Sequence, residues 1–340
     1  MRNLCMVMGL LAFICPAAWA DEYHLGQGYP VGNANIAGYV NLELDAPANG
    51  KAKLIAEDVS LFVAGNFDRY LNPFFEAEIA KLTVLQQGGS LFSDNHADVV
   101  LERFYNDSRV SDELTLRIGK MLTPVGEWNT IHAAPLIWTN TRPMTTFRSF
   151  PEYTSGASLN YFPSDESLPE VQLFWQPDGE ILPKPKLRVV REYLHTAGVH
   201  LNWPMDLTDK VGVSLLRADV DNLDESETML GFNAKKTFDR LQLETEATLT
   251  RLSGGSPLRV RDSEWGAYLL GAYALTDNYY LIARHENFAD RNTREGSHNT
   301  LLGVSYKPDP AMVWKFEYVK QGGAKLSIGT GFSASFSVLF

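Results

Sequence analysis

The end of the chain constrains its fold most. Residues 328–340 read IGTGFSASFSVLF. Taken alternately, Ile328, Thr330, Phe332, Ala334, Phe336, Val338 and Phe340 share one face, and Gly329, Gly331, Ser333, Ser335, Ser337 and Leu339 share the other. Successive side chains of a β-strand point to opposite faces, so this is a strand with one apolar face and one small, polar face. The apolar side requires either a soluble sandwich core or a lipid bilayer with water on the other side.

The same period of two recurs along the chain and marks sixteen stretches. The first five are Ala34–Asp45, Leu54–Phe67, Pro73–Leu85, Ala97–Asn106 and Glu113–Met121. Helical spacing over Lys51–Val63 competes with the second. After a long gap come Ser155–Phe162, Glu170–Gln176 and Tyr193–Trp203, then 208–220, 227–237, 240–252, 263–276, 278–288, 298–307, 311–320 and 326–340. In 240–252, Leu241, Leu243, Ala247 and Leu249 oppose Gln242, Glu244, Glu246, Thr248 and Thr250. In 311–320, Met312, Trp314, Phe316 and Tyr318 oppose Val313, Lys315, Glu317 and Val319. Charges on the second face are costly against lipid and tolerated in a wet lumen.

The gaps fall into two classes. Those after even-numbered stretches are tight and rich in Asp, Asn and Pro, as at Asp68–Asn72, Pro204–Leu207 and Pro308–Pro310. Most after odd-numbered stretches are longer: Gln86–His96, Leu122–Tyr153, Gln176–Glu192, Ser253–Asp262 and Ala289–Ser297. Asp221–Ser226 is a short exception. Short turns on one side and long loops on the other are the barrel pattern. The expected fold is all-β: a transmembrane antiparallel barrel of about sixteen strands with a long inward-folded third loop. Mean hydropathy of −0.17 suits strands that are half wet. No run of 18 apolar residues follows residue 20, so no membrane-spanning helix is expected. Aromatics near strand ends (Trp175, Tyr193, Trp203, Trp265, Tyr273, Tyr306 and Phe340) are read collectively as interfacial girdles.

Residues 1–20 read as a secretory signal peptide, with Arg2, an apolar stretch from Leu4 to Ile14, and Ala18-Trp19-Ala20 before the cut. Residues 21–340 then form the barrel. Ile14 before Cys15 does not fit a lipobox. Both cysteines, Cys5 and Cys15, leave with the signal, so no disulfide is expected. The formal charge of −11 becomes one unit more acidic when Arg2 is lost, which argues against nucleic acid as a partner.

The terminal Phe340 after alternating aromatics resembles the C-terminal assembly signal of bacterial outer-membrane proteins. Arg117–Gly126, RIGKMLTPVG, resembles the step that closes a strand in porins of the phosphate-selective porin O/P type. That likeness covers about ten residues besides the strand pattern. No tract matches that family's phosphate-binding arginines and lysines. The resemblance implies a Gram-negative outer-membrane porin for passive diffusion of small hydrophilic or ionic solutes. The barrel-assembly machinery and lipid would be its partners, and a homotrimer is admitted. In trimeric sixteen-stranded porins the third loop sets the constriction.

Here that loop is 122–153, broken by Pro124, Pro135, Pro143 and Pro151. Trp128 and Trp138, with Ile131, Leu136 and Ile137, are candidate anchors. Arg142 and Arg148 are candidate eyelet residues facing Glu127, Glu152 or the wall charges Glu76, Glu78 and Arg117; His132 belongs to the same constriction set. Opposed charges across a narrow pore sort ions. The competing reading pairs both arginines with loop acids that merely hold the loop. Local charge is near neutral, so ion preference stays open.

Two other functions are weighed. A barrel enzyme, lipase- or protease-like, would use His132 with Glu127 and Ser155, but no G-x-S-x-G motif occurs, and no catalytic residue is assigned. A plugged structural or adhesive barrel is the other. No metal or cofactor is expected: His195 and His200, five apart, fall on opposite faces of a strand, and no P-loop or dinucleotide motif occurs.

Overall fold

The alternating stretches pair in sequence order into one antiparallel sheet that closes on itself. The structure, a computed structural model, describes residues 24–25, 27–92, 97–131, 133–185, 191–206, 208–255, 257, 259–326 and 329–340. The signal-peptide expectation, His132 and Ile328 lie outside them. A three-residue strand, β1 (Tyr29–Val31), folds back onto β2 (Ala34–Pro47). The ring continues through β3 (Lys53–Gly65), β4 (Asn72–Gln86), β5 (Asp98–Arg109), β6 (Leu114–Leu122), β7 (Tyr153–Tyr161), β8 (Glu170–Trp175) and β9 (Tyr193–Pro204). It is completed by β10 (Lys210–Val220), β11 (Glu225–Phe238), β12 (Leu241–Gly254), β13 (Ser263–Ala274), β14 (Tyr279–Ala289), β15 (Ser297–Asp309), β16 (Met312–Gly323) and β17 (Gly331–Leu339). Each of the sixteen expected stretches is a strand, and the helical spacing over Lys51–Val63 loses to the pairing of β3 with both neighbours. Closure removes the free edges that an open sheet would present.

Closure rests on β17 against β2, from Gly331↔Pro47 to Leu339↔Tyr39. Beyond the last ladder pair, Gly38 N donates to Phe340 O at 2.8 Å and Phe340 N donates back to Gly38 O at 2.9 Å. A β-carbon at Gly38 would come within 2.6 Å of the Phe340 ring, so the close approach of ring to backbone needs glycine there.

The two faces differ as the alternation requires. Leu302, Tyr318 and Phe332 are direct cross-strand partners on β15, β16 and β17, and they are 60%, 50% and 41% exposed. On the opposite faces of β16 and β17, Lys315, Glu317, Ser333 and Ser335 point inward and are buried. An apolar exterior continuous over several strands suits lipid better than water. One girdle residue is corrected. Tyr193 packs inside the barrel against a buried cluster of Val125, Phe150, Phe174, Leu216, Ala218 and Met229, because it pairs with the inward Val220.

The wall has a seam between β5 and β6. The β5–β6 ladder runs from Arg109↔Thr115 to Phe104↔Lys120, while β5 pairs with β4 back to Asp98. Past Lys120, β6 continues with β7 as a two-stranded ribbon that carries residues 123–152 inward.

Replacing Gly38 by Val should destabilise the closed barrel by about 1–3 kcal/mol, because the added methyls meet the Phe340 ring. The temperature at which the folded band converts to the unfolded band on a gel reads this directly, and it should fall.

Candidate functional site

A loop inside a barrel carries backbone groups that have no ladder partner, and each costs free energy unless something bonds it. Prolines limit the third loop to two short helices, α1 (Trp128–Ile131) and α2 (Met144–Arg148). Three glutamates on alternate strands of the inner wall supply acceptors. Glu246 of β12 accepts from Trp128 N at 2.8 Å and Glu127 N at 3.3 Å, and from the Tyr268 hydroxyl at 2.9 Å. Glu286 of β14 accepts from Thr145 N at 2.9 Å. Glu317 of β16 accepts from Asn140 N at 3.2 Å, Thr141 N at 2.8 Å and Thr141 Oγ1 at 2.6 Å. Glu246 and Glu286 meet the free amides at the starts of α1 and α2, where negative charge is favoured.

Cations of the same wall serve the loop carbonyls. Lys315 Nζ donates to Ala134 O at 2.6 Å, and Arg284 Nη1 donates to Thr141 O at 2.6 Å and Thr139 Oγ1 at 2.9 Å. Apolar packing adds to this at two places. Val125 and Phe150, at the loop's two ends, enter the cluster on β8, β10 and β11. Trp138 packs against Tyr268, Leu270, Ala272, Ile282, Leu301 and Val319, and its indole N–H donates to Gln242 Oε1 at 2.8 Å. Burying a ring such as Phe150 stabilises by about 1.5–3 kcal/mol.

The remaining sequence candidates are placed as follows. Trp128 is buried, with the Arg142 guanidinium 4.8 Å from its ring centroid. Arg142 pairs with Glu152 at 2.5 Å and donates to Asn129 Oδ1 at 2.7 Å. Arg148 pairs with Asp290 at 2.7 Å. Burial would raise the Asp290 pKa, but the Arg148 charge and the Asn292 amide outweigh it and hold that carboxyl below its ordinary range. Glu127 pairs with Lys210 of β10. Arg117 forms a bidentate pair with Asp107 at 2.7 and 2.8 Å and stacks 3.9 Å from the Tyr105 ring centroid. For the hydrolase alternative, Ser155 Oγ accepts from Ile181 N at 2.9 Å, and His132 is not among the described residues. His195 and His200 bond to Asp219 and Ser214 on opposite faces, and no metal-holding group of three ligands occurs among the described residues.

Two clusters extend beyond the sequence candidates, which include only Glu76 and Glu78 of their members. Arg291, fully buried, holds Glu225 at 3.0 Å, Glu227 at 2.6 Å and Glu264 at 3.3 Å. Glu264 also takes Arg191 at 2.6 Å. Burial pulls the Arg291 pKa down, but the Glu264 and Glu227 charges win and raise it. Glu76, Glu78 and Glu102, buried on the inner faces of β4 and β5, join Asp58 of β3 and Glu43 of β2 in an acidic arc. The third loop's wall contacts given above fall on β8–β17, away from the strands that carry this arc. A cleft of about 230 Å³ between the third loop and residues 176–194 is lined by Arg142, Phe147, Glu152, Tyr153, Lys184 and Arg191 among others.

No protein-family model and no curated protein sequence matches the chain. Solved structures do match in fold. OmpF of Salmonella typhi, in a complex with daunomycin, superposes with a TM-score of 0.66 at 11% identity, over 94% of this chain and 99% of that one. The trimer form of OmpT, an outer membrane protein of Vibrio cholerae, gives 0.63 at 12%, over 92% and 100%. An anion-selective porin from Comamonas acidovorans gives 0.58 at 12%, over 90% and 98%. The chain therefore has the fold of the outer-membrane porin barrels: a closed antiparallel ring of sixteen strands.

Replacing Glu317 by Ala leaves two loop amides without their acceptor and should cost about 1–3 kcal/mol. Glu317→Gln, which keeps an acceptor, should lose less. The midpoint of heat modification measures both, and an unchanged midpoint would remove Glu317 from the loop's anchors. Arg291→Met leaves Glu227 without its guanidinium and takes one of two cations from Glu225 and Glu264, and should cost about 3–5 kcal/mol in denaturant unfolding.

Proposed function

We propose that the chain is a passive diffusion channel of the Gram-negative outer membrane, exported by an N-terminal signal and admitting small hydrophilic or ionic solutes. The observation that carries this reading is the third loop. It is bonded along a charged inner wall by Glu246, Glu286 and Glu317 of β12, β14 and β16, and a second group of carboxylates gathers on the inner faces of β2–β5. A lumen lined by carboxylates concentrates cations, so the preference is for cations over anions.

Lipid around the apolar exterior, the assembly machinery reading Phe340, and a homotrimer such as the one OmpT of Vibrio cholerae forms complete the proposed setting. The phosphate-selective subtype draws no support from its motif, since Arg117 is spent on Asp107 and Lys120 is buried against backbone carbonyls. In the constriction, Arg142, Arg148 and Glu152 border the cleft, and Glu127 ties the loop to Lys210.

Conductance of the refolded protein in a planar bilayer under a salt gradient tests the proposal. Discrete steps with a reversal potential toward the cation's equilibrium value are expected. A folded, heat-modifiable barrel that stays silent would overturn the channel and leave the plugged barrel in its place.

A further inference from the structure

At the seam between β5 and β6, the following external loop supplies what the strand does not. Lys120 Nζ donates to Leu101 O of β5 at 2.7 Å and to Leu182 O at 3.0 Å, and it pairs with Glu180 at 2.8 Å. The backbone N–H of Ile181 is bonded to Ser155 of β7. These contacts bring the segment around residues 180–184 against the gap in the wall and set Lys184 between wall and loop. Its ammonium is 3.0 Å from Glu102 Oε1 on β5 and 3.3 Å from Glu152 Oε2 on the third loop, and 5.1 Å from the Tyr153 ring centroid. It also interacts electrostatically with Asp58, Glu76 and Glu78. The other charges packed around it are Arg103, paired with Glu76, Arg142 on the second oxygen of Glu152, and Glu180 with Lys120. About a quarter of the Lys184 side chain remains open to the cleft, 23% by relative area.

Arg142 and Arg148, the cations that the third loop itself brings, are committed to Glu152 and Asp290. Lys184 is instead held on the acidic arc by a different loop. We infer that Lys184 is the specificity-determining residue of the channel: its tethered ammonium, paired with Glu102 and Glu152 at the edge of the cleft, offsets the field that the buried carboxylates Glu76, Glu78 and Glu102 exert there, and so limits the cation preference. The inference rests on the channel reading. Removing the charge leaves that field unbalanced; reversing it strengthens the field.

The sequence offers a clean test, because its cysteines are at positions 5 and 15 only, both within the segment expected to be cleaved. A Lys184→Cys variant, folded and then labelled, changes charge without changing how the barrel assembled. A sulfonatoethyl thiosulfonate reagent adds a negative charge, and a trimethylammonium-ethyl reagent restores a positive one. In a salt gradient the sulfonate-labelled channel should show a cation-to-anion permeability ratio at least about twofold above the ammonium-labelled one, and more at low salt. Lys184→Arg should keep the unsubstituted ratio. If the unsubstituted protein conducts and the two labels give the same reversal potential, Lys184 is excluded as the determinant while the channel stands. If no barrel conducts, the channel reading falls, and this inference falls with it.

Discussion

Three carboxylates pointing into a barrel decide whether its long loop can stay inside. Glu246, Glu286 and Glu317 take the loop amides that no strand reaches, and Lys315 and Arg284 take its carbonyls. Without them, a proline-broken segment in the lumen would carry unpaired backbone groups, each costing as much as several ordinary contacts provide. Apolar packing at Trp138 and Phe150 gives the loop adhesion, but the hydrogen bonds give it position. The shape of the lumen is therefore set by wall chemistry more than by loop conformation.

That arrangement divides the interior by use. Between β8 and β17 the inward charges are consumed in holding the loop. Between β2 and β5 they are not, and carboxylates gather there with little but Arg103 and Lys184 to balance them. A buried charge is tolerated when it is paired, and a wet lumen tolerates those that are only partly paired. The Arg291 cluster is another such group: two guanidinia, Arg291 and Arg191, and three carboxylates are sealed from solvent and tie the ends of β11 and β13 to the loop after β14. It serves stability.

Much of the barrel was legible before any coordinate. Each alternating stretch became a strand, and the faces of 240–252 and 311–320 point as their pattern indicates, since Glu246, Thr248, Lys315 and Glu317 are buried while Leu249 and Tyr318 are exposed. Tyr193 was misplaced because an aromatic at a strand end has the same local pattern whether it meets lipid or a lumen cluster. The site was legible only in outline. Residues 122–153 stand out by length and prolines, yet the wall glutamates that hold them look in sequence like any other polar residue of an alternating strand. Lys184 sits in a proline-rich loop with no periodicity at all.

By itself, then, the sequence determined the closed antiparallel barrel, its two faces and the segment that enters it. All of these follow from side-chain alternation over a dozen residues at a time, and a strand needs no distant partner to declare which face is apolar. Tertiary structure alone decided which charge meets which. Thr141 and Glu317 are 176 residues apart, and Lys184 reaches β5 only because the β5–β6 ladder stops at Lys120. Pairing energies depend on separation in space and on burial. Neither quantity is encoded in local pattern, so both appear only when the ring is closed.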